Sequence, residues 1–314
     1  MSRLNWLRAI RLTFVAATLF AVIRPVRADV SVTIIDANTA TAVINLPTAA
    51  APQYSATVTI TFDAATNLSA DSLGLTADIV DPATFTGLPV GVTLDPNFPV
   101  VVSVEPQTAI FRNSLEDNQS GDGNLSFLNS YELEIHSDEH LLCSSTASNF
   151  RLYKAPHGVD AFADITDNIY HGSVRARGRG GAFSRFVIVH DTQSIGLPVI
   201  PLLDLTGVLL TKITNLVSAI LAAGIIDVTL LDDLLASVTQ IATDLLLLNV
   251  TAAIDDLGDL VNSVVLNAGT NIPNYWSAAS PTTDGAGQII SASETLNFTL
   301  ELLNGAATCT PPPP

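Results

Sequence analysis

The chain has 314 residues, 30 acidic against 13 basic, and 48% of its side chains are hydrophobic. The net charge of −17 repels nucleic acid and anionic membrane surfaces, which are bound through clustered lysine and arginine. Abundant Val, Ile and Leu beside that charge excludes disorder and leaves room for one large domain or two ordinary ones, each with a real core.

The first residues read as a secretory signal peptide. Arg3, Arg8 and Arg11 form a positive start, and residues 12–23 form an uncharged apolar run. Val26 and Ala28 then place small residues where a signal peptidase reads, so cleavage is predicted between Ala28 and Asp29. The apolar run is short for a membrane span, and no stable span is expected in the mature chain. Five basic residues leave with residues 1–28, so eight remain against 30 acids, a balance of −22. A secreted or periplasmic location follows as the expectation.

From residue 29 to 106 the texture is β. Residues 30–34, 54–62 and 100–104 alternate or run apolar between Pro, Gly, Asn and Asp. Thr57, Thr59 and Thr61 would face water while Ala56, Val58, Ile60 and Phe62 face a core. Residues 107–199 continue with longer loops, and strands are expected at 131–136, 150–153, 173–177 and 183–189.

From residue 204 to 267 the period changes to that of helices. Leu205, Val208, Leu209, Ile213, Leu216, Val217, Ile220 and Leu221 form one series, stopped by Gly224. A second runs from Leu231 through Leu234, Leu235, Val238, Ile241 and Leu245 to Leu246. The third runs from Val250 through Ile254, Leu257, Leu260 and Val261 to Val265. Thr229 and Asn249 or Thr251 are the candidate N-cap positions. Leu296, Phe298, Leu300 and Leu302 then alternate again as a strand, so residues 270–305 are assigned to the second β region. Residues 306–314 form an unfolded Pro-rich tail. The expected fold is therefore mainly β: an immunoglobulin-like β-sandwich, one or two units, with an inserted three-helix segment.

Cys143 and Cys309 are the two cysteines, and in an oxidising compartment they read as one disulfide. The entropy of closing so long a loop makes it worth on the order of 4–5 kcal/mol. Arg175, Arg177 and Arg179 alternate along a predicted strand, with Arg185 following, and Arg suits carboxylate and phosphate geometry. They form a candidate surface for an anionic ligand such as an acidic polysaccharide. The competing reading, preferred because acids are in such excess, is cross-strand pairing with Glu132, Glu134 and His136. Asp117, Asn118, Ser120 and Asp122 offer oxygen ligands for calcium in a Gly-containing loop, although Asn129 stands where an EF-hand would place its bidentate Glu. A solvated turn is the simpler reading. His136 and His140 share a face only on a helix, and their segment reads as a strand.

No catalytic motif is evident. The sequence contains no G-x-S-x-G elbow, no Walker loop and no H-E-x-x-H helix. No cofactor is expected.

Arg151-Leu152-Tyr153-Lys154-Ala155-Pro156, Phe162-Ala163-Asp164-Ile165-Thr166, Gly172-Ser173-Val174-Arg175-Ala176-Arg177-Gly178 and Phe183-Ser184-Arg185-Phe186 mark a further pattern. Together they resemble β-sandwich modules, of unknown function, in uncharacterised secreted bacterial proteins. That resemblance covers residues 151–186 and brings no catalytic residues with it. The leading expectation is a non-enzymatic binding or structural protein with a protein, glycan or lipid partner. A carrier of an apolar ligand such as a lipid, sheltered by the helices, comes second, and an enzyme acting on polysaccharide third.

Overall fold

A computed structural model describes residues 26–46, 54–96, 98–106, 124–137, 149–170, 174–191, 202–280 and 284–304. Within them the first strands are β1 (Val26–Arg27), β2 (Asp29–Ile34), β3 (Thr39–Leu46), β4 (Tyr54–Thr66), β5 (Leu75–Ile79), β6 (Val92–Leu94) and β7 (Val100–Val104). The later ones are β8 (Ser126–Ser137), β9 (Phe150–Ala155), β10 (Ala163–Asp164), β11 (Thr166–Ile169), β12 (Val174–Gly180), β13 (Arg185–Asp191) and β14 (Tyr275–Ser277). The helices are α1 (Ala70–Leu73), α2 (Leu202–Ala222), α3 (Val228–Leu246), α4 (Val250–Asn267) and α5 (Gly285–Leu303). The described residues are thus mainly β, with two antiparallel sheets and five helices.

The first sheet has the order β1-β5-β7-β13-β9-β10, with β6 also on β13. The second runs β11-β12-β8-β4-β3-β2, with β14 on β8. Strands from residues 29–106 interleave with later ones in both sheets, since β4 pairs with β8 and β7 with β13. The alternation in β4 explains the packing: Ala56, Val58, Ile60 and Phe62 are buried, while the threonines between them are half-buried or exposed. These residues meet Val100, Val102 and Val104 of β7, Leu133 and Ile135 of β8, and Phe186 and Ile188 of β13 in one apolar core. At its end Phe62, Phe127, Tyr131, Phe183 and Trp276 pack ring against ring at 4.8–6.2 Å.

The helical period also holds. Leu216 and Ile220 of α2, Leu230, Leu234, Val238 and Ile241 of α3, and Ala253, Leu257, Leu260 and Val264 of α4 form a second core. Helix α3 starts one turn before the predicted apolar series. Its N-cap is Asp227, whose carboxylate accepts from the Thr229 and Leu230 amides, so Thr229 is inside the helix. Asn249 caps α4 as expected, its side chain accepting from the Ala252 amide.

Residues 285–303 correct the sequence reading. They form helix α5, not a strand, and the expected second β region at 270–305 retains only β14. Among the described residues four long helices pack together where three were expected. The reason is two-sided burial. Ile289, Leu296 and Leu300 of α5 face the helical core, while Phe298 and Leu302 pack with Ile169 of β11. A helix buried on two faces has apolar residues at spacings that mix both, and its last turns mimic the period of a strand.

Candidate functional site

The outer face of the second sheet carries the arginine stripe. In the register of β12 and β8, Arg175 stands opposite His136, Arg177 opposite Glu134 and Arg179 opposite Glu132. The ion pairs run diagonally: Arg175 Nε lies 2.7 Å from Glu134 Oε1 and Arg177 Nη1 3.4 Å from Glu132 Oε1. Arg179 Nη2 donates to Glu132 Oε2 at 3.2 Å. From β11, Asp167 accepts from Arg177 Nε at 2.8 Å and lies 3.4 Å from Arg179 Nε. The Arg175 guanidinium stacks over the Tyr170 ring at 4.0 Å.

Helix α5 roofs one side of this face. Ser291 Oγ donates to the Arg179 carbonyl, and Glu294 lies within the field of Arg179 and Asp167. Burial raises the Glu294 carboxyl, and burial likewise raises Glu132, against the opposing pull of Arg177. Burial would depress Arg177, but Asp167 more than offsets it and holds the guanidinium above its ordinary value. The stripe is therefore a neutralised ladder.

Arg185 does not belong to that ladder. It lies in β13 of the other sheet, donating to the Val159 carbonyl at 2.6 Å and to Asp160 Oδ1 at 2.9 Å, with its guanidinium over Phe162. The first sheet also holds Arg151, buried at 2% exposure, as part of a polar junction with the helices. Lys212 is the charged residue in the most apolar stretch of α2, and its Nζ donates to Asp164 Oδ2 at 2.5 Å and to the Thr295 carbonyl at 3.3 Å. Asp164 also accepts from Thr166 Oγ1 at 2.6 Å. Burial alone would raise the Asp164 carboxyl, but Lys212 and Arg151 together hold it below its usual range. The Arg151 guanidinium packs 5.2 Å from the ring centre of Phe298 on α5, and Tyr153 donates to Asp191 at 3.0 Å. Buried charges of both signs thus tie α2 and α5 to the sheet edge.

Sequence reading missed this junction, although one lysine in a run of leucines and isoleucines was the signal. The other predicted residues are scattered. Ala28 is buried in the main core with its amide bonded to the Ala77 carbonyl, and Asp29 is exposed at the start of β2. Asp117, Asn118, Ser120, Asp122, Cys143 and Cys309 lie outside the described residues.

Among the described residues no three His, Cys, Asp or Glu side chains gather as a metal site, and no helix is long and apolar enough to cross a membrane. No curated protein and no solved structure matches the chain. A family of unknown function, DUF6689, matches residues 12–304, and the chain belongs to it.

Proposed function

We propose that the chain is an exported, non-enzymatic binding protein: the two sheets form a single immunoglobulin-like platform, and the helices carry the contact surface. The observation that carries this reading is where exposed apolar surface lies. At the turn between α3 and α4, Leu246, Leu247 and Leu248 are 80%, 72% and 75% exposed. Leu248 also adopts a left-handed φ of +59°, which costs a leucine roughly 1–2 kcal/mol. Strain and exposure at one place carry a cost that a bound partner would offset. At the other end of the helices, Leu221, Ile226, Val228, Val265 and Leu266 are exposed too.

Charge narrows the partner. Residues 213–284 contain eight aspartates and no basic residue. A protein with a basic, apolar face complements that surface. The arginine ladder, already neutralised by Glu132, Glu134 and Asp167, has little charge left to offer a glycan.

The test is native mass spectrometry of protein purified gently from its own host, wild type beside Leu247→Asp. A protein mass carried by the wild type and lost in the variant supports the reading. A bare chain in both sinks it. A carrier role has one specific foothold away from the helices, an open cleft of about 540 Å3 lined by Pro82, Phe85, Leu88, Val92 and Leu94. A lipid mass retained by Leu247→Asp and lost on Leu88→Asp would favour that second reading.

A further inference from the structure

The segment joining β5 to β6 covers the face of the first sheet that is turned away from the main core. Val92 and Leu94 of β6 cluster there with Val101 of β7 and Val187 and Val189 of β13, and Phe85 and Leu88 of the joining segment pack on them. That segment is pinned at several points. Asp81 Oδ1 accepts from the Ala83 amide at 2.9 Å, and the Asp81 carbonyl accepts from the Phe85 amide at 3.0 Å. The Gly87 carbonyl accepts from the Phe162 amide at 2.9 Å, and the Phe85 and Phe162 rings pack at 5.3 Å. Gly87 has a φ of +91°, and a Cβ there would lie 2.5 Å from the Asp160 carbonyl oxygen, so the position requires glycine.

The cleft of about 540 Å3 lies between this segment and β6. Val92 and Leu94 are buried in its floor, Phe85 and Leu88 are half-buried in its wall, and Thr86 and Thr93 are exposed. Because its walls are held by the protein's own bonds, the cleft is formed before a ligand arrives.

Charge decides what fits. Residues 82–94 carry no charged side chain, and the residues flanking them, Asp81 and Asp95, are both acidic. Among the described residues no lysine or arginine lines the cleft. Arg185, whose guanidinium lies over the Phe162 ring, is held by Asp160 at 2.9 Å. An anion entering the cleft would give up water for apolar walls with no cation in return. The threonine hydroxyls offer hydrogen bonds to a neutral polar end.

We propose that this cleft binds uncharged, largely apolar small molecules with a neutral polar end, such as a long-chain alcohol, and rejects their anionic counterparts. The proposal rests on the carrier reading of the cleft and names the class of ligand.

The test uses protein purified from its own host and delipidated on a hydrophobic resin. It is titrated with N-phenylnaphthylamine, which is uncharged, and with anilinonaphthalene sulfonate, the same ring skeleton carrying an anion. The uncharged dye should bind saturably and at least about tenfold more tightly than the sulfonate. Dodecanol should displace it where dodecanoate does not. Leu88→Asp should abolish binding by placing a charge in the wall. Ala83→Trp, at an exposed lining position, should abolish it by filling the cleft, with the circular dichroism spectrum unchanged. Leu247→Asp should leave dye binding intact, which separates this site from the helical contact surface. Selective dye binding beside a native mass spectrum without lipid supports the site and sinks the carrier role. Equal affinity for the two dyes, no saturable binding, or binding unaffected by Ala83→Trp and Leu88→Asp overturns the proposal.

Discussion

Replacing Asp284 by asparagine should make the protein more stable at pH 8 and leave it almost unchanged at pH 4. Asp284 is fully buried at the N-cap of α5, where its Oδ1 accepts from the Gly287 amide at 2.9 Å. Among the described residues its Oδ2 has no hydrogen-bond partner. Burial pushes the carboxyl up to about 7 from an ordinary 3.8, with the Asp63 carboxylate adding to the rise. The folded state therefore holds a proton that the unfolded chain has released between about pH 4 and 7, and stability falls with pH through that window. Above pH 7 the cost of ionising it reaches a ceiling of about 4 kcal/mol. The dipole of α5 favours the ionised form by up to about 1 kcal/mol, which leaves about 3. Asparagine keeps the N-cap acceptor and carries no charge. Urea unfolding of both proteins at pH 4, 6 and 8 gives the difference between them, in which the remaining acids cancel. A difference that does not grow with pH, or a variant less stable at pH 8, would refute the reasoning.

Further outcomes are expected. Lys212→Met should cost about 3–5 kcal/mol, because it strands the Asp164 charge, and adding Asp164→Asn should recover much of it in denaturant unfolding. Since Asp164 titrates below its usual range, its stabilisation is present above about pH 4 and is lost as pH falls through the folded value. Gly287→Ala should unseat α5, since a Cβ there runs into the Asn129 carbonyl and lies 2.5 Å from Asp284 Oδ2. Gly258→Ala in α4 meets nothing within 4 Å and should raise stability by about 1 kcal/mol in the same assay. N-terminal sequencing of exported protein should find Asp29 first; a start upstream of Val26 would instead retain β1, which pairs with β5 through Val26 and Arg27.

Much of the candidate site was legible as pattern. The shared alternation of Arg175, Arg177, Arg179 with Glu132 and Glu134 announced a ladder before any register was known. Asp167, Tyr170 and Glu294 were not legible, because they reach the ladder from other elements. Arg185 was grouped with the stripe by proximity in sequence, but the turn after Gly180 carries it into the opposite sheet.

Local period alone determined the strands that pack one face inward and the three helices with one apolar stripe, because one-sided burial writes its spacing directly into the chain. Only tertiary structure decided that 285–303 is a helix, since a segment buried on two sides keeps no single period. It also decided the partner of Lys212. Whether a buried amine meets a carboxylate or an aromatic wall depends on which strand and which helix lie opposite, and no local spacing records that.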